Sequence, residues 1–237
     1  MKFLIKYATR GRPEKFFNAI QSIYDTIGTN DFLIVVSIDS DDQSMTSPTV
    51  REQLSNLKNA IVYCGSPAGK VAAINRDVEK HNDWDILVNF SDDMQFVCDG
   101  WDNLIIKKIN QHWNGSLDFF AHFNDGFVGE KLPTMSVMGR EYYERFFYIY
   151  PPCYNSFSCD AETMFVAMML EKHKYFTEII CKHNHAVHTG IGYDNTYKHN
   201  DQYANADTKT FHKRLNKFFY VNNPNPSTIK FQPYVGS

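Results

Sequence analysis

The chain has 237 residues, of which 43% are hydrophobic and 22% are charged, and its formal net charge is −3 at pH 7. A globular protein of this size buries a substantial core, and the balance of charges gives no electrostatic footprint for tight nucleic-acid binding. No apolar run approaches the roughly 20 residues of a membrane-spanning helix, and the first residues lack the apolar core of a signal peptide. The five cysteines are scattered without a Cys-x-x-Cys pair. This argues against a disulfide framework or a cysteine zinc site and favours the reducing cytoplasm.

The first hundred residues alternate predicted strands with predicted helices. Short apolar runs predict strands over 3–7, 32–38 and 60–63 and a fourth strand beginning at Ile86. The predicted helices between them cover 13–27, 49–57 and 70–78. This alternation predicts an α/β fold, a three-layer α/β/α sandwich around a mostly parallel central sheet.

The second half of the chain is less regular. Its predicted elements are a helix over 101–113, strands over 118–123 and 135–138, a helix beginning at Arg140, and a helix from Asp160 to about Lys172. The indole of Trp101 is predicted to close the core. The tail after Asn222 is rich in Pro and Asn and is predicted to be irregular.

Four polar segments follow predicted strands. They are Thr9-Arg10-Gly11-Arg12, Asp39-Ser40-Asp41, Gly69-Lys70 and Ser91-Asp92-Asp93. The carboxyl ends of parallel strands meet at one edge of the sheet, where open α/β folds bind ligands. Arginines, a lysine and carboxylates at one edge suit a phosphorylated ligand with Mg²⁺ or Mn²⁺. The alternative for the two adjacent acids is a pair that only caps a turn or the next helix.

In this order, the motifs resemble those of a GT-A glycosyltransferase, close to the inverting family-two type. The matching segments are residues 7–13, Asp39, Gly69-Lys70 with Asn75-Arg76, and Asp92-Asp93 at the place of the DXD motif. The resemblance implies one Rossmann-like GT-A domain over 1–237. Its parts would be a nucleotide-sugar-binding half (1–100), an acceptor-side half (101–222) and an irregular tail (223–237).

The resemblance also implies a nucleotide pocket at the ends of the first two strands. The loop with Thr9, Arg10 and Arg12 would line this pocket. Asp39 would hydrogen-bond the base, and Asp41 would reach the ribose region.

The diphosphate side of the pocket is implied by the later motifs. Lys70 and Arg76 would face the diphosphate, and Asp93 would hold Mn²⁺ or Mg²⁺. Asp92 would contact the ribose or a metal-bound water. The usual first acid of the DXD motif is Ser91 here, which leaves the number of direct protein ligands to the metal open.

The resemblance implies that Asp160 is the catalytic base, because in this family the base opens a helix after the acceptor-binding segment. An inverting enzyme needs a carboxylate to take the proton of the acceptor hydroxyl. Glu162 is the substitute candidate. The plain alternative for Asp160 is an N-cap of the helix.

A histidine cluster is the second candidate metal element. If 183–185 is extended, His183 and His185 lie on one face and can chelate together. Family members often place one late histidine on the metal beside the DXD acid. The alternative is a polar loop with solvent-facing imidazoles.

The implied function is metal-dependent transfer of a sugar from a nucleotide-sugar donor, most simply a UDP-sugar, to a glycan, lipid-linked or other acceptor hydroxyl, with inversion. A sugar-phosphate nucleotidyltransferase fits less well, because residues 9–13 lack its Gly-rich loop. Two alternatives remain. One is a metal-dependent phosphoester or ester hydrolase using the same acids and histidines, and the other is a non-catalytic nucleotide-sugar or glycan-binding module.

The basic amphipathic stretch over 209–219 has two interpretations. It combines Phe211, Leu215, Phe218 and Phe219 with four basic residues, so it could contact an anionic membrane that carries a lipid-linked acceptor. The favoured interpretation is a terminal helix packed on its own domain. The oligomeric state is not specified by the sequence.

Overall fold

The computed structural model describes residues 1–184, 190 and 194–229. The strands are β1 (Phe3–Thr9), β2 (Phe32–Asp39), β3 (Ala60–Gly65), β4 (Ile86–Phe90), β5 (Met94–Phe96), β6 (Phe120–Phe123), β7 (Val137–Gly139), β8 (His173–Phe176) and β9 (Cys181–His183). The helices are α1 (Pro13–Thr26), α2 (Pro48–Ser55), α3 (Lys70–Asn75), α4 (Trp101–Trp113), α5 (Arg140–Tyr143), α6 (Cys159–Met169), α7 (Asn195–Asp201) and α8 (Ala204–Leu215).

Seven strands form one sheet in the order β3-β2-β1-β4-β7-β6-β8. Strands β1 to β4 are parallel to one another, β7 runs antiparallel to both β4 and β6, and β6 is parallel to β8. The predicted α/β fold with a mostly parallel central sheet is therefore confirmed. The short strands β5 and β9 form a separate antiparallel ribbon that the sequence analysis did not predict.

Both faces of the sheet are covered by helices. Successive residues of a strand point to opposite faces, and in β1 the side chains of Phe3 and Ile5 pack in one apolar cluster while Leu4 packs in the other. Helices α1 and α4 contribute to the first cluster, and α3, α6 and α8 contribute to the second. This arrangement is the predicted three-layer sandwich.

Helix α3 is shorter than predicted. The expected helix over 70–78 ends at Asn75, Asp77 has a left-handed backbone (φ 72°), and a short 3₁₀ turn follows at Val78–Lys80. The cause is tertiary, because Arg76 donates to the carbonyl oxygens of Ser66 and Ile38 at 2.7 and 2.6 Å. These bonds attach the chain to the ends of β2 and β3 and stop the helix.

Helix α4 begins at Trp101, as predicted. The indole is fully buried and stacks on Phe96 with ring centroids 4.0 Å apart. The neighbouring Asp102 accepts hydrogen bonds from the backbone amides of Gly28 and Asn30 at 2.8 and 3.1 Å. Trp101 therefore closes the core, and Asp102 fixes the turn that follows α1.

The basic amphipathic stretch forms most of α8. Phe211 is fully buried, and Phe219 beyond the helix is 4% exposed, both in the apolar cluster that contains α6. The favoured interpretation, a helix packed on its own domain, is confirmed. Within the described part of the chain, no helix combines the length and the apolar character needed to cross a membrane.

Candidate active site

The ends of β1 and β2 bring two arginines and two carboxylates together. Arg10 donates to Asp39 at 2.9 Å and makes a two-pronged contact with Asp41 at 2.5 and 2.9 Å. Arg76 approaches the other oxygen of Asp39 at 3.1 Å. Asp39 is buried, whereas Arg10 and Asp41 are about half exposed. Arg76, which was expected to face the diphosphate, therefore lies against the residue expected to bind the base.

Arg12 lies apart from this cluster and connects the β1 loop to α7. Its guanidinium donates to both oxygens of Asp194 at 2.8 and 2.7 Å and lies 4.3 Å above the ring of Tyr197. Asp194 also caps α7 by accepting from the amides of Thr196 and Tyr197. The sequence analysis missed both Asp194 and Tyr197, which lie far along the chain in a segment without a predicted element.

The end of β4 carries a partly exposed Asp92 with one shielded oxygen. This Oδ1, the hydroxyl of Tyr7 and the hydroxyl of Thr9 are buried without a hydrogen bond of normal geometry among the described residues. Burial raises the pKa of Asp92 to about 7, and Thr9 and Arg12 offset the effect only in part. The hydroxyl of Tyr7 also lowers the pKa of Asp92, so these three polar groups face one another at the end of β4.

Asp93 is held by three side chains. Ser91 donates to its Oδ1 at 2.6 Å, Tyr197 donates to its Oδ2 at 2.8 Å, and His183 Nε2 lies 3.4 Å from Oδ1. Burial would raise the pKa of Asp93, but the contacts with His183, Ser91 and Tyr197 hold it well below its usual range. The Asp93 carboxylate is therefore ionised and fixed in orientation.

The β5–β9 ribbon explains how His183 reaches Asp93. The register of the ribbon pairs His183 with Met94, and the amide of Asn184 donates to the carbonyl of Asp93 at 2.7 Å. These two contacts hold the end of β9 against the residues at the start of β5. His183 is thus beside Asp93, whereas His185 lies outside the described residues.

Asp125 lies behind His183 and was not identified from the sequence. Its Oδ1 accepts from the amides of Phe127, Val128 and Gly129 at 3.0, 2.8 and 3.0 Å, and its Oδ2 lies 3.8 Å from His183 Nδ1. Burial lowers the pKa of His183, but Asp125 and Asp93 outweigh it and raise the pKa to about 9. Asp125 follows β6, so the strand-end rule applied to the predicted strand over 118–123 would have found it.

Asp93 and His183 fit a divalent cation. A carboxylate oxygen suits Mn²⁺ or Mg²⁺, and the imidazole of His183 joins it as a ligand only after losing its proton. A carboxylate behind the imidazole is the usual support of a ligating histidine. Among residues 1–184, 190 and 194–229, no group of three or more His, Cys, Asp or Glu side chains is arranged as a metal cage. An ion at this pair would complete its shell with water and ligand phosphates.

Asp160 is the second residue of α6, at the helix start as predicted, and its Oδ1 accepts the amide hydrogen of Ala161 at 2.8 Å. Burial raises its pKa, while the charges of Lys70 and His183 lower it in part. Asp160 therefore experiences the charge of Lys70, the first residue of α3, and that of His183, the partner of Asp93. The N-cap residue of α6 is Ser158 and not Asp160, so the plain alternative of an N-cap role does not hold, and the role of Asp160 as base stays a prediction.

Glu162 is occupied elsewhere. Its buried carboxylate accepts hydrogen bonds from Arg214 at 2.8 Å on each oxygen, and from the hydroxyl of Tyr154 at 2.5 Å. This ion pair joins α6 to α8, and removing either partner would leave a buried charge. Glu162 has a structural role here, so we do not retain it as a substitute base.

No protein-family model matches the sequence, and no curated protein matches it. Solved structures do match. A mannosyltransferase from Pyrobaculum calidifontis, in complex with GDP-Man and Mn²⁺, aligns with a TM-score of 0.58 at 14% identity over 77% of this chain and 56% of that chain.

S. aureus TarS aligns with a TM-score of 0.62 at 13% identity, over 78% of this chain and 37% of that chain. Its fragment 1–349 in complex with UDP aligns with a TM-score of 0.60 at 13% identity, over 77% and 60% of the two chains. The fold is a GT-A-like glycosyltransferase fold. This GT-A-like chain spans between 37% and 60% of the length of these structures.

Proposed function

We propose that the chain is a metal-dependent glycosyltransferase that moves a sugar from a nucleotide-sugar donor, most simply a UDP-sugar, to an acceptor hydroxyl with inversion. The observation that carries the proposal is the approach of His183 to Asp93 at 3.4 Å at the end of β4. These two residues come from distant parts of the chain and offer the donor atoms that a divalent cation takes. A general base and basic side chains surround them.

The donor nucleotide is assigned to the ends of β1 and β2. Asp39 would accept a hydrogen bond from the base, and Asp41 would reach the ribose region. Both carboxylates are held by Arg10, so the base would compete with that guanidinium for Asp39. The structurally similar proteins named above were solved with GDP-Man and UDP, and another TarS structure contains UDP-GlcNAc.

The diphosphate is assigned to the side of Asp93 and Lys70. Asp93 and His183 would hold the cation, with Asp125 orienting the imidazole and Asp92 facing the ribose or a metal-bound water. A cation bound there stabilises the negative charge that develops on the departing nucleoside diphosphate. Lys70 at the start of α3 supplies a further positive charge on the same side.

Asp160 is the proposed general base. It would take the proton of the acceptor hydroxyl as the oxygen forms its bond to the anomeric carbon, while the bond to the diphosphate oxygen breaks on the opposite face. Burial raises the pKa of Asp160, which brings it closer to the operating pH and strengthens the base. Attack from the face opposite the leaving group gives inversion.

Calorimetric titration tests the donor site. UDP, GDP and their sugar conjugates are titrated with and without Mn²⁺ into the wild type, Asp93→Ala and a control, Asp99→Ala, which removes an exposed carboxylate from the same segment. We expect metal-dependent nucleotide binding in the wild type and the control, and its loss in Asp93→Ala. Metal binding without nucleotide preference would favour a hydrolase, and donor binding without turnover would favour a binding module.

The exposed aromatic residues near the end of α8 are the candidates for contact with a membrane. Because Phe211 and Phe219 are buried, the aromatic residues left for a membrane near the end of α8 are Phe218 and Tyr220, 45% and 56% exposed. Exposed Lys213 and Lys217 flank them. We propose weak contact with anionic lipid at this end, measured by sedimentation with phosphatidylserine vesicles and abolished in Phe218→Ser.

A further inference from the structure

A buried carboxylate on α8 captures three consecutive backbone amides. Asp207 is 1% exposed and accepts from the amides of Asn155, Ser156 and Phe157 at 3.1, 2.8 and 2.9 Å. The side-chain amide of Asn155 adds a further bond at 3.2 Å. Successive N–H groups pointing at one anion fix the conformation of the segment that carries them.

The captured segment contacts the proposed active site on two sides. The carbonyl of Asn155 accepts from the amide of Val71 at 3.2 Å, in the first turn of α3. On the other side, Ser158 has a left-handed backbone (φ 60°), and its carbonyl accepts from the amide of Glu162 in the first turn of α6. The segment over 155–158 therefore joins the N-terminal turns of the helices that carry Lys70 and Asp160.

We propose that Asp207 is a positioning residue for glycosyl transfer, holding the loop over 155–157 so that Lys70 and Asp160 face the same reacting centre. The inference rests on the proposed function, in which Asp160 is the base. Asp207 is not assigned any contact with a substrate. It acts through the loop, and its absence would let the first turns of α3 and α6 move relative to each other.

The electrostatics of Asp160 agree with this placement. Besides burial, the charged or titratable groups that interact with Asp160 are Lys70 on α3, His183 on β9, Tyr150 in the preceding loop and the adjacent Cys159. Lys70 exerts the largest of the effects that lower the pKa of Asp160. The distance from Lys70 to Asp160 therefore matters for the base, and the loop held by Asp207 lies between the segments that set it.

The test is a double-mutant cycle on kcat for donor turnover. Asp207→Asn keeps the size and shape of the side chain but replaces one accepting oxygen by an N–H₂ group, which cannot accept from the backbone amides. We expect it to lower kcat about 10- to 100-fold, the effect of a small misplacement of reacting groups, with a smaller increase in the Kd for UDP with Mn²⁺ that reflects the displaced Lys70. In an Asp160→Asn background the same substitution should lower kcat by less than about twofold, because residues that act through one another are not additive.

Asp102→Asn is the matched control. Asp102 is another buried carboxylate that accepts backbone amides, those of Gly28 and Asn30, but it lies on α4 outside the proposed site. It should lower the melting temperature without the selective loss of kcat. If Asp207→Asn does not fold, Asn155→Ala removes one bond to Asp207 and should show the same non-additivity with a smaller effect.

Two outcomes would overturn the inference. One is an equal loss of kcat in the Asp207 and Asp102 variants, and the other is a full loss from Asp207→Asn in the Asp160→Asn background. Hydrogen exchange at the amide of Val71 separates this inference from the proposed function, because it needs no turnover. Faster exchange in Asp207→Asn than in Asp102→Asn supports the loop linkage even if no donor is used, and equal exchange rejects it.

Discussion

The hydroxyl of Tyr197 donates a hydrogen bond to Oδ2 of Asp93 at 2.8 Å. The same ring lies under the guanidinium of Arg12 at 4.3 Å. Tyr197 of α7 thus contacts both Asp93, the proposed metal-binding carboxylate after β4, and Arg12 in the loop after β1. Through Tyr197, a late segment of the chain contacts the proposed donor site.

Tyr197→Phe is expected to weaken Mn²⁺-dependent UDP binding about tenfold, since partners that orient a metal-ligating side chain typically contribute this much or more to metal affinity. The phenylalanine keeps the ring beneath Arg12 and removes only the hydroxyl. Calorimetric titration measures the change. Tyr203→Phe, at the start of α8, is the control and should bind as the wild type does. Equal affinity in both variants would remove Tyr197 from the site.

Asp125→Asn is expected to weaken Mn²⁺ binding roughly 10- to 100-fold by releasing the imidazole of His183 from its supporting carboxylate. The amide oxygen can still accept from the loop amides, so the fold should be retained. Electron paramagnetic resonance of free Mn²⁺ measures the affinity. Asp118→Asn is the control, because Asp118 pairs with Arg145 and Lys172 instead. An unchanged affinity in Asp125→Asn would contradict the assignment of His183.

Stability should rise with pH above neutrality because of Lys6. Burial lowers the pKa of this lysine to about 7, although Asp77 opposes the effect. Between pH 7 and the usual lysine pKa of 10.5, the unfolded chain binds more protons at this position than the folded chain. The free energy of unfolding therefore increases with pH over this window, by up to about 1.4 kcal/mol per pH unit.

Urea unfolding of the wild type and Lys6→Met between pH 7 and 10 measures this contribution as the difference between their slopes. Lys80→Met is the control. Lys80 donates a hydrogen bond to Asp77 at 2.6 Å, and this bond raises the pKa of Lys80. The Lys80→Met variant should therefore keep the increase of stability with pH. The same slope in wild type and Lys6→Met would show that Lys6 is charged in the fold.

Gly139→Ala is expected to destabilise the fold severely, by about 3 kcal/mol or more, on the scale of an overpacked core. A Cβ at this end of β7 would lie 2.0 Å from the carbonyl oxygen of Leu117. Gly69→Ala is the control, since its Cβ would meet nothing closer than Asn155 at 3.7 Å. Thermal unfolding compares the two, and equal melting temperatures would mean that the β7 contact relaxes at no cost.

The local pattern of apolar residues predicted most of the secondary structure. The apolar runs of β1, β2 and β4 and the helical periodicity of α1 and α4 placed those elements within two residues of their observed bounds. Where the pattern failed, a distant contact had decided the outcome. Arg76 ended α3 by bonding to β2 and β3, and the ribbon of β5 and β9 depends on the pairing of two three-residue segments.

The sequence by itself determined which side chains follow the parallel strands, because a strand of given polarity brings its carboxyl end to a fixed edge of the sheet. Thr9, Asp39 and Asp92 could be located in this way. Only the tertiary structure decided which partner each would meet. Asp125, Tyr197 and Asp207 act through contacts between residues far apart in the chain, and such contacts depend on how the layers pack, which local periodicity does not encode.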